Sequence, residues 1–151
     1  MPSNSQRLIF IYLSVCVLLS VGYEVKYLRY CGPPDKTLKC KMTPWPELKP
    51  GKPVNITVSF TPVVDIFSST LQFELISKND GHVISRGAPN IQCNKWPQIC
   101  NLAAGETYTL TYSNDRIRAS PPGLKGTVYF RGELYNQDQV MWTCLEGEVV
   151  L

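Results

Sequence analysis

Apolar and polar residues alternate along four stretches of this chain. Apolar side chains recur at every second position of residues 54–60, 71–75 and 108–112, and at Val128, Phe130 and Leu134 of residues 128–134, with mostly polar or charged residues between them. A period of two is the pattern of a β-strand with one buried face. Two sheets that bury such faces against each other form a sandwich. The pattern therefore predicts an all-β sandwich.

Turn-forming residues separate these stretches. Pro50 and Gly51 precede the first, and the Asn-Asp-Gly of residues 79–81 follows the second, with Val83 and Ile84 beyond it. This arrangement predicts a hairpin at residues 79–81. The 12 prolines and 10 glycines are spread along the chain, as is typical of an all-β domain. No repeat, no second domain and no long helical period is apparent.

The N-terminus has the order of a secretory signal peptide. Arg7 is followed by an uncharged, largely apolar segment, residues 8–21, and then by Gly22. The segment is shorter than the roughly 20 apolar residues of a membrane-spanning helix. We therefore expect a signal peptide at residues 1–22 and a soluble domain at residues 23–151, and an uncleaved anchor is the alternative.

Charge and composition argue against several function classes. The formal net charge is +3, and no run of Lys or Arg occurs, which argues against nucleic-acid binding. His82 is the only histidine and falls in a predicted turn, and no hydrolase, phosphate-binding or zinc-protease motif is present. Cysteine and histidine are too widely spaced for a zinc site. We expect no catalytic residues, no bound metal and no cofactor, so the protein is not expected to be an enzyme.

Cysteines and one sequon fit a secreted domain. Cys16 lies in the expected signal peptide, which leaves Cys31, Cys40, Cys93, Cys100 and Cys144. Most of these should be paired in an oxidising compartment, and the odd number leaves at least one that is free or pairs outside the chain. The sequence Asn55-Ile56-Thr57 is a glycosylation sequon on the polar face of its strand, so we expect a glycan at Asn55.

Several segments occur in an order that resembles one known family. They are a Gly-Lys turn leading into a strand (residues 48–60), a short loop between Cys93 and Cys100 with residues 101–110 after it, a strand after Pro122-Gly123, and a final strand at residues 142–146. Together they resemble the ML (lipid-recognition) domain family. Its members include the Niemann–Pick type C sterol carrier, the mite group 2 allergens and the fungal phosphatidylglycerol/phosphatidylinositol transfer proteins. The resemblance extends over essentially the whole predicted domain.

The resemblance implies a fold and a cysteine pairing. The fold is an immunoglobulin-like sandwich of two antiparallel sheets with an apolar slot between them. The implied disulfides are Cys93–Cys100 and Cys31–Cys144. Cys40 lies near a family cysteine that usually pairs with a second cysteine several residues later, and this sequence has no cysteine there. Cys40 is therefore free, pairs between chains, or takes Cys31 instead.

The alternation and the resemblance together give candidate residues for a lipid slot. The expected wall residues are Val58, Phe60, Leu71, Phe73, Leu75, Tyr108, Leu110, Val128 and Phe130. The loop residues expected at the mouth of the slot are Ile91, Trp96, Ile99 and Ile117. The alternative is that these side chains fill a closed core, as in most alternating strands. Trp96 either packs onto the sandwich or lies at a membrane interface.

The resemblance implies a lipid-binding function. We expect a secreted or endolysosomal protein that holds a sterol or phospholipid between its sheets, transfers it, and contacts membranes transiently. The alternative is a lipid-recognising accessory protein, either a Toll-type co-receptor with a receptor ectodomain as partner or an activator of a glycolipid hydrolase. A secreted adhesion sandwich without a ligand is a further hypothesis, which the missing Cys…Trp…Cys spacing of immunoglobulin domains disfavours. Apolar walls do not indicate which headgroup is bound.

Overall fold

The structure is a computed structural model that describes residues 24–44, 51–114 and 125–150. The described residues form nine strands: β1 (Glu24–Tyr30), β2 (Lys39–Thr43), β3 (Val54–Phe60), β4 (Ser69–Ser77), β5 (Val83–Gly87), β6 (Asn90–Ile91), β7 (Tyr108–Asn114), β8 (Thr127–Tyr135) and β9 (Met141–Val150). The expected signal peptide lies outside these residues. None of the described segments is a helix with the length and apolar character needed to span a bilayer.

The strands form two antiparallel sheets. The larger sheet has the order β1-β9-β8-β4-β5, and the short β6 pairs with the beginning of β4. The smaller sheet has the order β2-β3-β7. The prediction of an all-β fold with two antiparallel sheets is confirmed.

The four alternating stretches lie in β3, β4, β7 and β8. Burial alternates along β8, where the even-numbered residues from Val128 to Leu134 are buried and the odd-numbered residues are partly exposed. Adjacent strands are in register, so that Phe130 lies opposite Leu75 of β4 and Gly147 of β9. The apolar sets of neighbouring strands therefore share one face of the larger sheet.

Strands β1, β2 and β6 are among those that the alternation does not indicate. Strand β1 has a register shift between Val25 and Tyr27, which interrupts its two-residue period. Most of its residues are exposed because it is an edge strand of the larger sheet. Strand β2 is also an edge strand and is mostly exposed, and β6 has only two residues. Edge position and short length remove the buried face on which the pattern depends.

Turn chemistry fixes two of the connections. The predicted hairpin joins β4 and β5, where Gly81 adopts a φ of 71° and the Ser77 amide donates to the His82 carbonyl over 2.8 Å. Between β8 and β9, the buried Asn136 side-chain oxygen accepts hydrogen bonds from the amides of Asp138 and Val140, at 3.0 and 2.9 Å. Its amide nitrogen donates to the Asp65 carbonyl, so the buried amide is satisfied on both sides.

The core consists of two clusters of buried apolar residues. One contains Val54, Ile56, Val128, Phe130 and Val149. The other contains Phe60, Ile66, Leu71, Phe73, Ile91, Leu102, Leu134 and Trp142. Each cluster draws residues from both sheets, so the two clusters hold the sheets together. Val58 of β3 packs against both clusters.

A charged group is buried on the face of the larger sheet opposite the core. The side chain of Glu146 is 4% exposed and forms ion pairs with Arg29 of β1 and Arg131 of β8. The Tyr129 hydroxyl donates a further hydrogen bond to it, over 3.1 Å. The hydrogen bond from Arg29, aided by that from Tyr129, lowers the pKa of Glu146 despite its burial. This cluster links three adjacent strands.

Candidate functional site

A cavity lies between the two sheets. Its volume is about 160 Å³. Its lining residues are Leu28, Tyr30, Leu38, Cys40, Ile56, Val58, Phe60, Ile91, Trp96, Gln98, Ile99, Leu110, Thr111, Tyr112, Leu134, Trp142, Thr143 and Leu145. They come from seven strands and two connecting segments. The exposed Leu28, Cys40 and Gln98 show where the cavity reaches the surface.

The two sheets supply opposite walls. Strand β3 of the smaller sheet contributes Ile56, Val58 and Phe60, since alternate residues of a strand share a face. The larger sheet contributes Leu134 from β8 and Leu145 from β9 among others. No charged side chain occurs among the described lining residues. The cavity is therefore an apolar space bounded by two sheets.

A disulfide-bonded loop covers part of the cavity. Cys93 and Cys100 are bonded, and a short 3-10 turn, Pro97–Ile99, lies between them. The Trp96 amide donates to the Gln92 carbonyl over 3.1 Å, and the Ile99 amide donates to the Trp96 carbonyl over 3.2 Å. These constraints direct Trp96 and Ile99 to the cavity wall. The structure thus gives Trp96 a packed position, and both of these residues also contact the second core cluster.

An irregularity between β8 and β9 shapes the deep wall. Leu134 pairs with Thr143 but Tyr135 pairs with Met141, so Trp142 is an extra residue in β9. Such a bulge interrupts the alternation and redirects side chains. As a result, the adjacent residues Trp142 and Thr143 both line the cavity. The Trp142 ring stacks on Phe60 of the opposite sheet, with ring centroids 5.6 Å apart.

Some polar groups also border the cavity. Tyr30 and Thr143 are joined by a side-chain hydrogen bond, and burial raises the pKa of the Tyr30 hydroxyl against the lowering effect of that bond. Burial likewise raises the pKa of Tyr112. Both tyrosines therefore stay neutral at physiological pH. The described lining residues thus include neutral hydrogen-bonding groups beside the apolar walls.

The structure divides the sequence-predicted slot residues into two sets. Val58, Phe60, Ile91, Trp96, Ile99 and Leu110 line the cavity. Leu71, Phe73, Leu75, Tyr108, Val128 and Phe130 do not line it, although both sets belong to, or pack against, the two core clusters. Ile117 lies outside the described residues. Alternation identifies the inward face of a strand, but it does not show where the opposite sheet leaves a gap.

Other lining residues were not singled out from the sequence. Leu28 and Tyr30 belong to β1 and Cys40 to β2, the edge strands without a clear alternation. Trp142 lines the cavity because of a bulge, which no local pattern in the sequence indicates. Ile56 and Leu134 were on predicted inward faces, so the alternation contained a signal for them.

Both disulfides implied by the family resemblance are present. Cys31 is bonded to Cys144, which ties the end of β1 to β9, and Cys93 is bonded to Cys100. The Cys31–Cys144 bond is incompatible with a Cys31–Cys40 pair. Cys40 lies exposed on β2, outside both disulfides. Asn55 is exposed on β3, where a glycan would not meet the core.

Comparison with known proteins identifies structures with a similar fold and the family of the chain. The described structure is similar to chicken MD-1 complexed with lipid IVa, with a TM-score of 0.63 and 15% identity, covering 86% of this chain and 91% of that one. It is also similar to a Niemann-Pick type C2 protein from Japanese carpenter ant, with a TM-score of 0.51 and 10% identity, covering 80% of this chain and 96% of that one. No curated protein sequence matches the chain. The family model for the ML domain matches residues 26–151, and the chain therefore belongs to the ML domain family.

Proposed function

We propose that this protein binds a single lipid between its two sheets and transfers it between membranes. The observation that carries this proposal is the apolar cavity, which is bounded by both sheets and reaches the surface. An ML-domain fold similar to that of MD-1 in complex with lipid IVa supports the same function. The lipid is a sterol or a phospholipid. The signal-peptide pattern of residues 1–22 supports a location in the extracellular space or the endolysosomal lumen.

The energetics favour an apolar ligand in this cavity. Each methylene moved from water into an apolar site gains about 0.8 kcal/mol. A buried length of about eight methylenes would gain about 6 kcal/mol, before the loss of ligand motion is subtracted. The absence of charge among the described lining residues avoids any cost of desolvating an ion. A charged headgroup would therefore remain at the surface, near Leu28, Cys40 and Gln98.

A pair of neighbouring substitutions tests this proposal. Leu110 of β7 lines the cavity, whereas Thr109 is exposed on the other face of the same strand. Leu110→Trp fills cavity space and should displace about two methylenes of ligand, weakening uptake of fluorescent sterol and phospholipid from vesicles by about tenfold. Thr109→Trp adds the same side chain outside the cavity and should leave uptake unchanged. Equal uptake by both variants and the wild type would show that lipid does not enter this cavity.

The alternative is a lipid-recognising accessory protein. A carrier transfers lipid from donor to acceptor vesicles without a further protein. A co-receptor would bind one receptor ectodomain tightly and transfer little lipid, and an activator would raise the turnover of a glycolipid hydrolase on membranes. Vesicle-to-vesicle transfer by the purified protein alone therefore distinguishes our proposal from these roles.

A further inference from the structure

The three most exposed large apolar side chains of the described residues lie on two neighbouring segments. Phe67 is 61% exposed, Val63 is 53% exposed and Val140 is 41% exposed. Val63 and Phe67 belong to the segment that leads from β3 into β4, and Val140 belongs to the turn between β8 and β9. Exposed apolar residues scattered singly are normal, whereas several on adjoining segments indicate an interaction surface. We call these three residues the apolar patch.

Gln137 joins the two segments. Its side-chain oxygen accepts a hydrogen bond from the Phe67 amide over 3.0 Å, and its side-chain nitrogen donates to the Asp65 carbonyl over 3.3 Å. Ile66 and Leu102 exchange backbone hydrogen bonds of 2.9 and 3.0 Å, and Ile66 is fully buried in the second core cluster. Because Ile66 is anchored in the core, its neighbour Phe67 is held in a fixed position at the surface.

The apolar patch lies beside the proposed lipid site. The sulfur atom of Cys93, in the disulfide-bonded loop, is 3.6 Å from the Phe67 carbonyl oxygen. Ser69, two residues after Phe67, pairs with Ile91, which lines the cavity. Three residues of the disulfide-bonded loop line the cavity as well. A surface that binds the patch would therefore meet the protein next to the cavity.

The segments of the patch carry no cationic side chain to attract an anionic partner. Neither residues 61–68 nor residues 136–140 contain Lys or Arg. Their acidic residues are Asp65, which accepts from the Ala104 amide over 2.8 Å, and Asp138, which accepts from the Gln137 side chain over 2.9 Å. Acidic groups beside the apolar side chains disfavour an anionic membrane or an acidic protein surface. A zwitterionic bilayer, which has an apolar interior and no net surface charge, fits this chemistry.

We infer that Phe67 and the two valines of the apolar patch insert into the surface of a zwitterionic lipid bilayer during lipid exchange. This inference rests on the proposed function and deepens it, because it identifies the face that meets the membrane. Insertion stabilises the contact by removing apolar area from water. It also brings the cavity wall at Ile91 close to the membrane that donates or receives the lipid. A second copy of the chain and a receptor ectodomain are the alternative occupants, which the experiment distinguishes.

Matched substitutions test the membrane contact. Val63 is in the patch, whereas Val83 is exposed on β5 and pairs with Ile76, about 20 Å along β4 from the start of that strand. In flotation with phosphatidylcholine vesicles, Val63→Ser should weaken binding about threefold and Phe67→Ser about tenfold, since each removes apolar area from the contact. Val83→Ser should bind as the wild type does. Higher salt should leave wild-type binding unchanged, because the contact contains no ion pair.

Lipid uptake without a membrane separates this inference from the proposed function. A fluorescent sterol or phospholipid delivered from a soluble cyclodextrin complex should bind Phe67→Ser and the wild type equally. Transfer of the same lipid between phosphatidylcholine vesicles should be about tenfold slower with Phe67→Ser. Vesicle binding or transfer by Phe67→Ser at the wild-type level would overturn the inference and leave the proposed function intact. A wild type that binds vesicles through Phe67 but takes up no lipid would support the membrane contact and contradict the proposed function.

Sedimentation velocity tests the alternative of self-association. The wild type is expected to be a monomer in solution. A dimer that Phe67→Ser dissociates would assign the patch to a second copy of the chain and overturn the inference. A wild type that does not bind phosphatidylcholine vesicles would also overturn it, and would favour a protein partner such as a receptor ectodomain at this surface.

Discussion

Phe60 and Phe130 offer a direct test of which buried residues line the ligand site. Both lie on predicted inward faces and both were predicted from the sequence as slot walls. In the structure, Phe130 is fully buried in the first core cluster, whereas Phe60 is 8% exposed and lines the cavity. Replacing each with alanine removes the same atoms from two different surroundings. The two variants should therefore differ in how much folding stability and how much lipid affinity they lose.

The magnitudes follow from packing. Phe→Ala in a well-packed core costs about 3–5 kcal/mol in the free energy of unfolding, and Phe130→Ala should fall near the upper end because its ring is enclosed. One side of Phe60 already faces the cavity, so its ring has fewer packing partners there and Phe60→Ala should cost about 2–3 kcal/mol. Lipid affinity should show the opposite order. Phe60→Ala should weaken binding about tenfold by removing wall contacts, and Phe130→Ala should change affinity less than twofold.

Denaturant unfolding of the ligand-free proteins gives the free energy of unfolding, and titration with a fluorescent sterol or phospholipid gives the lipid affinity. The comparison is informative only if both variants are folded at the temperature of the titration, which circular dichroism verifies. A variant pair in which Phe130→Ala loses more affinity than Phe60→Ala would contradict the assignment of the cavity walls. Identical affinities for Phe60→Ala and the wild type would refute it as well.

Three further predictions concern other parts of the molecule. The pKa of Glu146 is lowered chiefly by the hydrogen bond from Arg29, so its contribution to stability is present above the ordinary glutamate pKa and lost as pH falls through the folded value. Glu146→Gln should therefore destabilise the protein by about 1–3 kcal/mol near pH 7. Thermal unfolding should show that the stability difference between wild type and variant shrinks below about pH 4. A difference that stays constant with pH would contradict this role of the ionised Glu146. Replacing both Cys93 and Cys100 with serine releases the loop that covers part of the cavity, so lipid should dissociate faster in stopped-flow exchange, and an unchanged rate would mean that the loop does not control release. In protein expressed in a eukaryotic secretory host, Asn55→Gln should lower the mass by one glycan without changing lipid uptake, and an unaltered mass would show that the sequon is unused.

The sequence predicts the fold better than it predicts the site. Alternation locates β3, β4, β7 and β8 because each buries one face in a shared core. It cannot indicate β1 and β2, since edge strands bury little and β1 also contains a register shift. The family resemblance supplied the slot and the two disulfides, which residue periodicity alone does not.

The cavity itself depends on how the two sheets are arranged. Leu71 and Leu134 are both buried and inward on adjacent strands, yet only Leu134 lines the cavity. The difference arises from what the opposite sheet places in front of each residue, which is a property of the assembled fold. Trp142 shows the same limit, because only the pairing of β8 with β9 reveals the bulge that brings it to the wall.

Native mass spectrometry tests the central claim most directly. The full-length chain would be expressed in a eukaryotic secretory host, purified without detergent, and analysed intact and after lipid extraction. We predict a bound species heavier by one lipid, at a near-equal molar ratio of lipid to protein, and the extract would identify a sterol or a phospholipid. A protein that is purified without lipid, and that also takes up no sterol, phospholipid or fatty acid from vesicles, would contradict the proposal that the cavity is a lipid-binding site.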